Sequence, residues 1–179
     1  MLDLLVKNGK IIDGTGNPWF KADLGVKEGK IAAIGQNLRY EARTVINAEG
    51  LAVSPGFIDM HTHSDLRVFK YPEEDAKLMQ GITTALLGQD GLSVAPIDDA
   101  NKVPMMQRIS GLLGTYLNEW NWNSMADYLS AIDAVNPATN SMMLVPHGAI
   151  RAMALGWENR LASPDELEKM KALLAQALK

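Results

Sequence analysis

The chain contains no cysteine among its 179 residues. Disulfide bonds and thiolate ligands are therefore excluded, and any metal site must use nitrogen and oxygen donors. The sequence also has no apolar run close to the roughly 20 residues that a membrane span needs. Because its N-terminus lacks the basic region and apolar core of a secretory signal, we expect a cytoplasmic protein that does not enter membranes.

Long blocks of one charge sign are also missing. The 17 basic and 21 acidic residues are interspersed and leave a formal net charge of -4. This distribution lacks the positive surface that nucleic acids or anionic membranes attract, so we expect a small-molecule substrate instead. A hydrophobic fraction of 47% is enough to build a globular core.

The first third of the chain reads as a succession of short strands. Residues 2 to 53 alternate apolar, β-branched runs with turn signals. Asn8-Gly9 and Glu28-Gly29 are each followed by lysine and a β-branched residue, a pattern typical of tight hairpins. We therefore predict a small antiparallel β-layer that contains two hairpins of the same kind.

Two histidines, His61 and His63, follow the apolar pair Phe57-Ile58. Residues two apart share a face of a strand, so Asp59, His61 and His63 are predicted to point together near its carboxyl end. One interpretation is a chance pair of half-exposed imidazoles. The other is a metal site, which we favour because buried imidazoles need polar partners or a metal, and Phe57-Ile58 predicts a buried strand. Asp59 is then either an acceptor that orients a ligating imidazole or a buried carboxylate with another partner.

After this strand, predicted strands alternate with predicted helices. Residues 72–80 indicate a helix, and the run 82–87 indicates a strand buried on both faces. Asp90 follows the carboxyl end of that strand, so it is expected beside the two histidines if the strands are neighbours. A third strand, 141–145, ends just before His147. This order predicts βα units of the barrel kind, in which active sites lie at the carboxyl ends of the strands.

About fifty residues separate the second and third predicted strands, far more than a simple crossover needs. They include Trp120 and Trp122, which either cover a pocket or pack a long loop against helices. Helix starts are indicated at Ser124 with Asp127 and, more clearly, at 163–166, where a capping box coincides with a first-turn proline.

Four segments together resemble the amidohydrolase superfamily and, within it, the N-acyl-D-amino-acid deacylases or D-aminoacylases. They are Pro-Gly-Phe-Ile-Asp-Met-His-Thr-His-Ser-Asp at 55–65, and residues 81–84, 88–96 and 146–151. The whole chain resembles the amino-terminal part of such an enzyme. The resemblance implies a β-sandwich built from both chain ends, a metal-bearing (β/α)₈ barrel, and one or two divalent ions, normally zinc. Zinc polarises an amide carbonyl and activates water to attack it.

Carried over residue by residue, His61 and His63 match the paired zinc ligands on the first barrel strand of this family. Asp90 stands where these deacylases usually carry a metal-binding cysteine, which is a departure from the family pattern. A carboxylate is also a competent zinc ligand, but a harder one, so metal number or preference is expected to change. The alternative is that Asp90 is only a turn residue.

Two further positions bear on the substrate. The related dihydroorotases favour an arginine two residues after the second histidine, where it binds a substrate carboxylate. Asp65 occupies that position here, which disfavours a dihydroorotase, although Arg67 lies nearby. His147 either faces the substrate or has a structural role, and we retain it as a substrate-binding candidate.

A complete barrel of this kind needs about 250 residues and eight strands. We therefore expect residues 1–54 to form the amino-terminal β-sandwich portion and residues 55–179 the first three βα units of an incomplete barrel. The chain would then be a fragment, a truncated reading frame or one piece of a split protein. The remaining histidine ligands and the catalytic aspartate would follow Lys179 or belong to a companion chain.

The predicted function is metal-dependent hydrolysis of the amide bond of an N-acyl-D-amino acid. The alternatives are a dihydroorotase-like or hydantoinase-like cyclic amidohydrolase, and a non-catalytic truncated or split subunit.

Overall fold

The computed structural model of the chain describes residues 1–114 and 120–179. The chain folds as two compact units, Met1–Pro55 and Gly56–Lys179. In the part of the chain that the structure describes, no helix combines the length and the apolar character needed to cross a membrane.

The first unit is a five-stranded sheet with β1 at its centre. The strand order is β3-β2-β1-β4, and β5 also pairs with β1. The strands are β1 (Leu2–Ile11), β2 (Phe20–Lys27), β3 (Lys30–Gly35), β4 (Ala42–Asn47) and β5 (Ala52–Val53). The first three strands are antiparallel, as predicted, but β4 and β5 run parallel to β1. The prediction of a wholly antiparallel layer is wrong because residues 36–41 return the chain from the end of β3 to the level of Leu2, so that β4 starts beside β1 and runs in the same direction.

Of the two predicted hairpins, one forms. Glu28-Gly29 connects β2 to β3, and its residues have φ values of 51° and 72°, as a two-residue turn with both residues left-handed requires. Asn8-Gly9 instead lies inside β1, where the register with β2 shifts between Val6 and Gly9. The N–H of Asn8 donates to Asp23 Oδ1 at 2.8 Å, which satisfies the donor that leaves the strand ladder. The predicted hairpin is therefore a bulge.

The second unit alternates strands and helices around a three-stranded sheet of order β6-β7-β8. Its strands are β6 (Phe57–Asp59), β7 (Ile82–Leu87) and β8 (Asn140–Met143), and its helices are α1 (Arg67–Lys70), α2 (Asp75–Leu78), α3 (Asp99–Leu113), α4 (Met125–Ala134), α5 (His147–Leu155) and α6 (Pro164–Ala177). Both strand pairs are parallel, which confirms the α/β class and the predicted βαβ unit. A barrel of this kind has eight strands, and the three parallel strands of this sheet do not test its presence. The incomplete barrel therefore stays a prediction.

The predicted burial of the first strand of this sheet is wrong. Phe57 is 63% exposed and Ile58 55% exposed, because β6 has only three residues and pairs with β7 alone at the edge of the sheet. The central strand β7 is only partly buried: Ala85 and Leu87 are in the core, whereas Thr83 is exposed. Burial on both faces requires a covering layer on each side of a sheet.

The core of the second unit lies between the sheet and its helices and contains both tryptophans of the long connection. Trp120 and Trp122 are stacked with ring centroids 5.9 Å apart, and Trp122 also stacks on Phe69 at 5.1 Å. The indole N–H of Trp122 donates to the carbonyl of Val94 at 3.0 Å. Of the two alternatives for these tryptophans, the structure therefore shows packing.

Two helix starts were predicted from their capping residues. Ser124 precedes α4 and accepts a hydrogen bond from the N–H of Asp127, whose carboxylate accepts one from the N–H of Ser124. Ser163 and Glu166 make the same reciprocal pair at the start of α6. Both predicted caps are confirmed.

Candidate metal centre

The two histidines lie in the loop that follows β6. The strand ends at Asp59, so His61 and His63 stand beyond its carboxyl end and not within it. Asp59 accepts a hydrogen bond from the backbone N–H of His61 at 3.2 Å. Its recorded contact is thus with the backbone of the histidine loop, whereas the expected contact was with an imidazole. The role predicted for Asp59 as an imidazole acceptor stays untested.

The loop after β7 is a tight turn built on left-handed backbone. Gly88, Asp90 and Gly91 have φ values of 76°, 57° and 73° around a short 3₁₀ turn, Gln89–Gly91. A Cβ atom on Gly88 would stand 2.4 Å from the carbonyl oxygen of Leu144, so only glycine allows this loop to approach the end of β8. Aspartate tolerates the left-handed region better than most residues, which suits the turn role of Asp90.

A buried glutamine joins the two loops. Gln89 donates through its side-chain amide to the carbonyl of Met60 at 2.8 Å and to that of Leu86 at 3.0 Å. One acceptor belongs to the histidine loop and the other to β7 itself. Because parallel strands place their carboxyl ends at the same edge of a sheet, these bonds hold Asp90 next to the histidines.

The three predicted ligands meet at this edge. His61 Nε2 and His63 Nε2 each lie 3.2 Å from Asp90 Oδ2. One ligand atom from each of the three residues lies within 4.8 Å of the others. The side chains of His61 and Asp90 are 59% and 57% exposed and that of His63 is 18% exposed, so the cluster opens to solvent on one side.

This donor set fits a divalent metal ion. Two ligands held about 2 Å from one tetrahedral zinc ion stand roughly 3.3 Å apart, close to the spacing between each imidazole nitrogen and the carboxylate oxygen. The donors are two nitrogens and one charged oxygen, as the absence of cysteine requires. Asp90 is thus a turn residue whose carboxylate also faces both imidazoles, so the two interpretations of it are compatible.

The structure adds a residue that the sequence reasoning did not assign to the site. Asp65 is fully buried, and its Oδ1 accepts hydrogen bonds from the hydroxyl of Ser93 at 2.6 Å and the N–H of Gly88 at 3.2 Å. Burial raises the pKa of this carboxyl group, while hydrogen bonds and the nearby His63 oppose the rise. The sequence contained a signal that Asp65 belongs near the site, because it continues the two-residue spacing of Asp59, His61 and His63.

His147 stands apart from this cluster. It is exposed at the first position of α5, and no group of potential ligands in the described ranges, 1–114 and 120–179, joins it to the other histidines. Its neighbour Gly148 packs against the Asp90 turn, since a Cβ there would lie 2.6 Å from the carbonyl oxygen of Gly91. His147 therefore borders the same edge of the sheet as Asp90, and its predicted substrate contact remains untested.

A family model described as the amidohydrolase family matches residues 44–179. The chain belongs to the amidohydrolase family. It is similar to D-aminoacylase from Alcaligenes xylosoxydans xylosoxydans, with 37% identity over 98% of this chain and 35% of that protein. It is also similar to the N-acyl-D-aspartate deacylase of the same organism, with 35% identity over 98% of this chain and 34% of that protein.

Solved structures of this family share the fold. An N-acyl-D-glutamate deacylase from Bordetella bronchiseptica, solved with zinc and a phosphonate inhibitor that mimics the tetrahedral intermediate, matches with a TM-score of 0.87 and 36% identity. The match covers 99% of this amidohydrolase chain and 36% of that protein. A crystal structure of D-aminoacylase matches with a TM-score of 0.83 and 37% identity, over 99% of this chain and 36% of that one. The chain thus spans about a third of the length of the relatives it matches.

Proposed function

We propose that this amidohydrolase chain forms part of a zinc-dependent deacylase that hydrolyses the amide bond of N-acyl-D-amino acids. The observation that carries the proposal is the convergence of His61, His63 and Asp90 beyond the ends of adjacent parallel strands. It is supported by similarity to D-aminoacylase and to the zinc-containing D-glutamate deacylase structure. Carboxyl ends of strands are where enzymes of this architecture hold their active sites.

Each of the three side chains has a defined task in the proposed site. His61 and His63 supply neutral nitrogen donors, and Asp90 supplies the negative charge that a cysteine thiolate provides in the resembled deacylases. When bound, zinc lowers the pKa of a coordinated water towards about 7 and polarises a carbonyl group. Asp90 is a harder donor than a thiolate, so we expect a site that is more tolerant of hard divalent ions.

The position of Asp65 argues against an anionic-ring substrate of the dihydroorotase type. The residue two places after the second histidine is a fully buried acid, which cannot supply the positive charge that binds a substrate carboxylate. Arg67, the arginine nearest in sequence to this position, instead places its guanidinium 5.0 Å from the centre of the Tyr71 ring. His147, exposed at the edge of the sheet near the Asp90 turn, is the proposed substrate contact in this chain.

Further parts of the site belong to the proposal as well. Residues 1–54 are proposed to form a β-sandwich portion and residues 55–179 part of a barrel, with the rest supplied by residues after Lys179 or by a companion chain. The remaining ligands and the general base would come from there. The exposed apolar side chains of Phe57, Ile58 and Met142 on the three-stranded sheet support a covering partner of this kind.

The test uses the complete natural protein, including any residues that follow Lys179 and any companion chain. Metal content is measured by elemental analysis, and the metal is then removed with a chelator and restored as zinc. Hydrolysis is measured on N-acyl-D-amino acids, their L enantiomers, hydantoin and dihydroorotate. We expect hydrolysis of the D substrates that disappears on chelation and returns with zinc.

Three outcomes would contradict the proposal. Activity that persists without metal removes the role of His61, His63 and Asp90 as ligands. Hydrolysis of hydantoin or dihydroorotate in preference to the acyl amino acids would establish a cyclic amidohydrolase. A protein that binds zinc but hydrolyses none of these compounds would be a non-catalytic family member.

A further inference from the structure

His63 has two ring nitrogens with different surroundings. Its Nε2 faces Asp90 Oδ2 at 3.2 Å, on the side where the ligand atoms converge. Its Nδ1 is buried and has no hydrogen-bond partner among the described residues. A histidine that binds a metal through one nitrogen almost always donates the other N–H to a carboxylate, a carbonyl or water, which fixes the ring. The Nδ1 of His63 therefore requires an acceptor.

A matching acceptor is buried two residues further along the chain. Asp65 is fully buried, and while its Oδ1 accepts hydrogen bonds from Ser93 and Gly88, its Oδ2 has no partner among the described residues. A buried carboxylate oxygen without a donor is costly, as is a buried imidazole nitrogen without a partner. The two atoms do not bond to each other in this structure, but they are chemically complementary, since one is an acceptor and the other carries a proton when Nε2 holds a metal.

Asp65 is also joined to the loop that carries the third ligand. The N–H that it accepts at 3.2 Å belongs to Gly88, two residues before Asp90. Its own backbone carbonyl accepts the hydroxyl of Tyr128, a fully buried residue of α4, at 2.8 Å. Asp65 thus connects the histidine loop to the Asp90 turn through its side chain and to the helical layer through its backbone, so it cannot move without moving ligands on both loops.

We propose that Asp65 is the positioning residue of the metal site. Its Oδ1 holds the Asp90 turn through Gly88, and its Oδ2, which has no partner among the described residues, accepts a hydrogen bond from Nδ1–H of His63 when Nε2 binds the metal. The inference rests on the proposed metal-dependent function but does not make Asp65 a ligand. It assigns the orienting role to Asp65, in place of Asp59, whose carboxylate bonds to a backbone N–H.

The central variant is Asp65→Asn in the complete natural protein. It keeps the size and the oxygen that accepts from Gly88 and Ser93, but it replaces the second oxygen by an amide that donates and cannot accept from Nδ1–H. The matched control is Asp23→Asn. Asp23 is also a buried aspartate, whose oxygens accept the N–H groups of Asn8 at 2.8 Å and Leu38 at 2.9 Å in the first unit.

Zinc affinity is measured by competition with a chromogenic chelator, and folding by circular dichroism and thermal melting. We expect Asp65→Asn to weaken zinc binding by about 10 to 100-fold, the usual effect of losing the partner of a metal-bound histidine. Asp23→Asn is expected to leave zinc affinity within about two-fold of the wild type, because both hydrogen-bond partners of Asp23 belong to the first unit and it shares none with the ligands. Zinc affinity unchanged in a folded Asp65→Asn protein, with His63→Ala losing zinc, overturns the inference and leaves the proposed function intact.

A second measurement needs no variant and remains decisive if Asp65→Asn does not fold. Histidine ¹⁵N NMR of the zinc-loaded wild type reports which nitrogen of His63 binds metal and which carries a proton. We expect a metal-bound Nε2 and a protonated, slowly exchanging Nδ1. Coordination through Nδ1 overturns the inference alone. Failure of the wild type to bind zinc at His63 overturns both the inference and the proposed function.

Discussion

Replacement of Asp90 is the sharpest test of the proposed metal centre, because this carboxylate supplies the charge of the three-residue cluster and lies 3.2 Å from the Nε2 atoms of both imidazoles. Loss of a residue that merely orients a ligand costs about 10 to 100-fold in affinity. Removal of a ligand should weaken metal affinity by more than this range. We expect Asp90→Ala to weaken zinc binding more than about 100-fold, equivalent to about 2.7 kcal/mol.

The backbone of Asp90 requires a second variant. Its φ of 57° is left-handed, and an alanine there is strained by about 1 to 2 kcal/mol. Asp90→Gly removes the carboxylate without that strain. If both variants lose zinc to the same extent, the loss comes from the missing donor and not from a distorted turn. Asp90→Cys restores an anionic donor, a thiolate, and is expected to retain zinc.

The assay is zinc content after dialysis of the complete protein against a mild chelator, with circular dichroism to confirm the fold of each variant. His61→Ala serves as the positive control for loss of a ligand. The reasoning fails if Asp90→Gly keeps full zinc occupancy and activity while His61→Ala loses both. Asp90 would then be a turn residue only.

Three further predictions follow from single contacts. Gly88→Ala should destabilise the protein by at least about 2 kcal/mol, because the backbone there is left-handed and the new Cβ would lie only 2.4 Å from a carbonyl oxygen. Gly111→Ala, in open space within α3, should instead stabilise the protein by about 0.5 to 1 kcal/mol. Chemical denaturation measures both changes in stability. The pKa of Glu166 is lowered from 4.5 to about 2, chiefly by hydrogen bonds from Arg160. The stability contributed by the ionised carboxylate is therefore present above pH 4.5 and lost as the pH falls towards 2. Carboxyl ¹³C NMR measures the titration of Glu166. His147→Ala should raise KM for the acyl amino acid by about 10-fold without loss of zinc, as expected when a group that only binds substrate is removed.

Each of these predictions has a result that would contradict it. Equal stability of the Gly88→Ala and Gly111→Ala proteins would show that the loop after β7 does not approach β8 as closely as the structure has it. A titration midpoint of Glu166 near pH 4.5 would show that Arg160 does not pair with this carboxylate at the start of α6. Loss of zinc in His147→Ala would make His147 a ligand, and unchanged kinetics would make it structural.

Features set by residues close together in the chain were predictable from the sequence. The caps at Ser124 and Ser163 depend on a side chain and an N–H three residues away, so a four-residue pattern contains both partners. The same holds for the Glu28-Gly29 turn, which needs only two residues with positive φ. The pairing of His61 with His63 near a strand end is likewise local.

Other features depend on which strands become neighbours, and these only the tertiary structure decided. Asn8-Gly9 has the local signature of a hairpin, yet pairing with β2 and β5 on either flank keeps β1 continuous through it. The apolar pair Phe57-Ile58 is exposed because β6 lies at a sheet edge, a property that no local pattern carries.

The candidate metal centre combines local and long-range information. The sequence alone identified His61, His63 and Asp90 as a possible set, but their convergence required β6 and β7 to be parallel neighbours and the Gly88 loop to turn towards the histidines. From the sequence, Asp65 was interpreted only as the residue that disfavours a dihydroorotase, two positions after His63. Its burial, its bond to Gly88 and its unpaired oxygen arise from contacts between segments more than twenty residues apart, and long-range packing of this kind cannot be inferred from spacing along the chain.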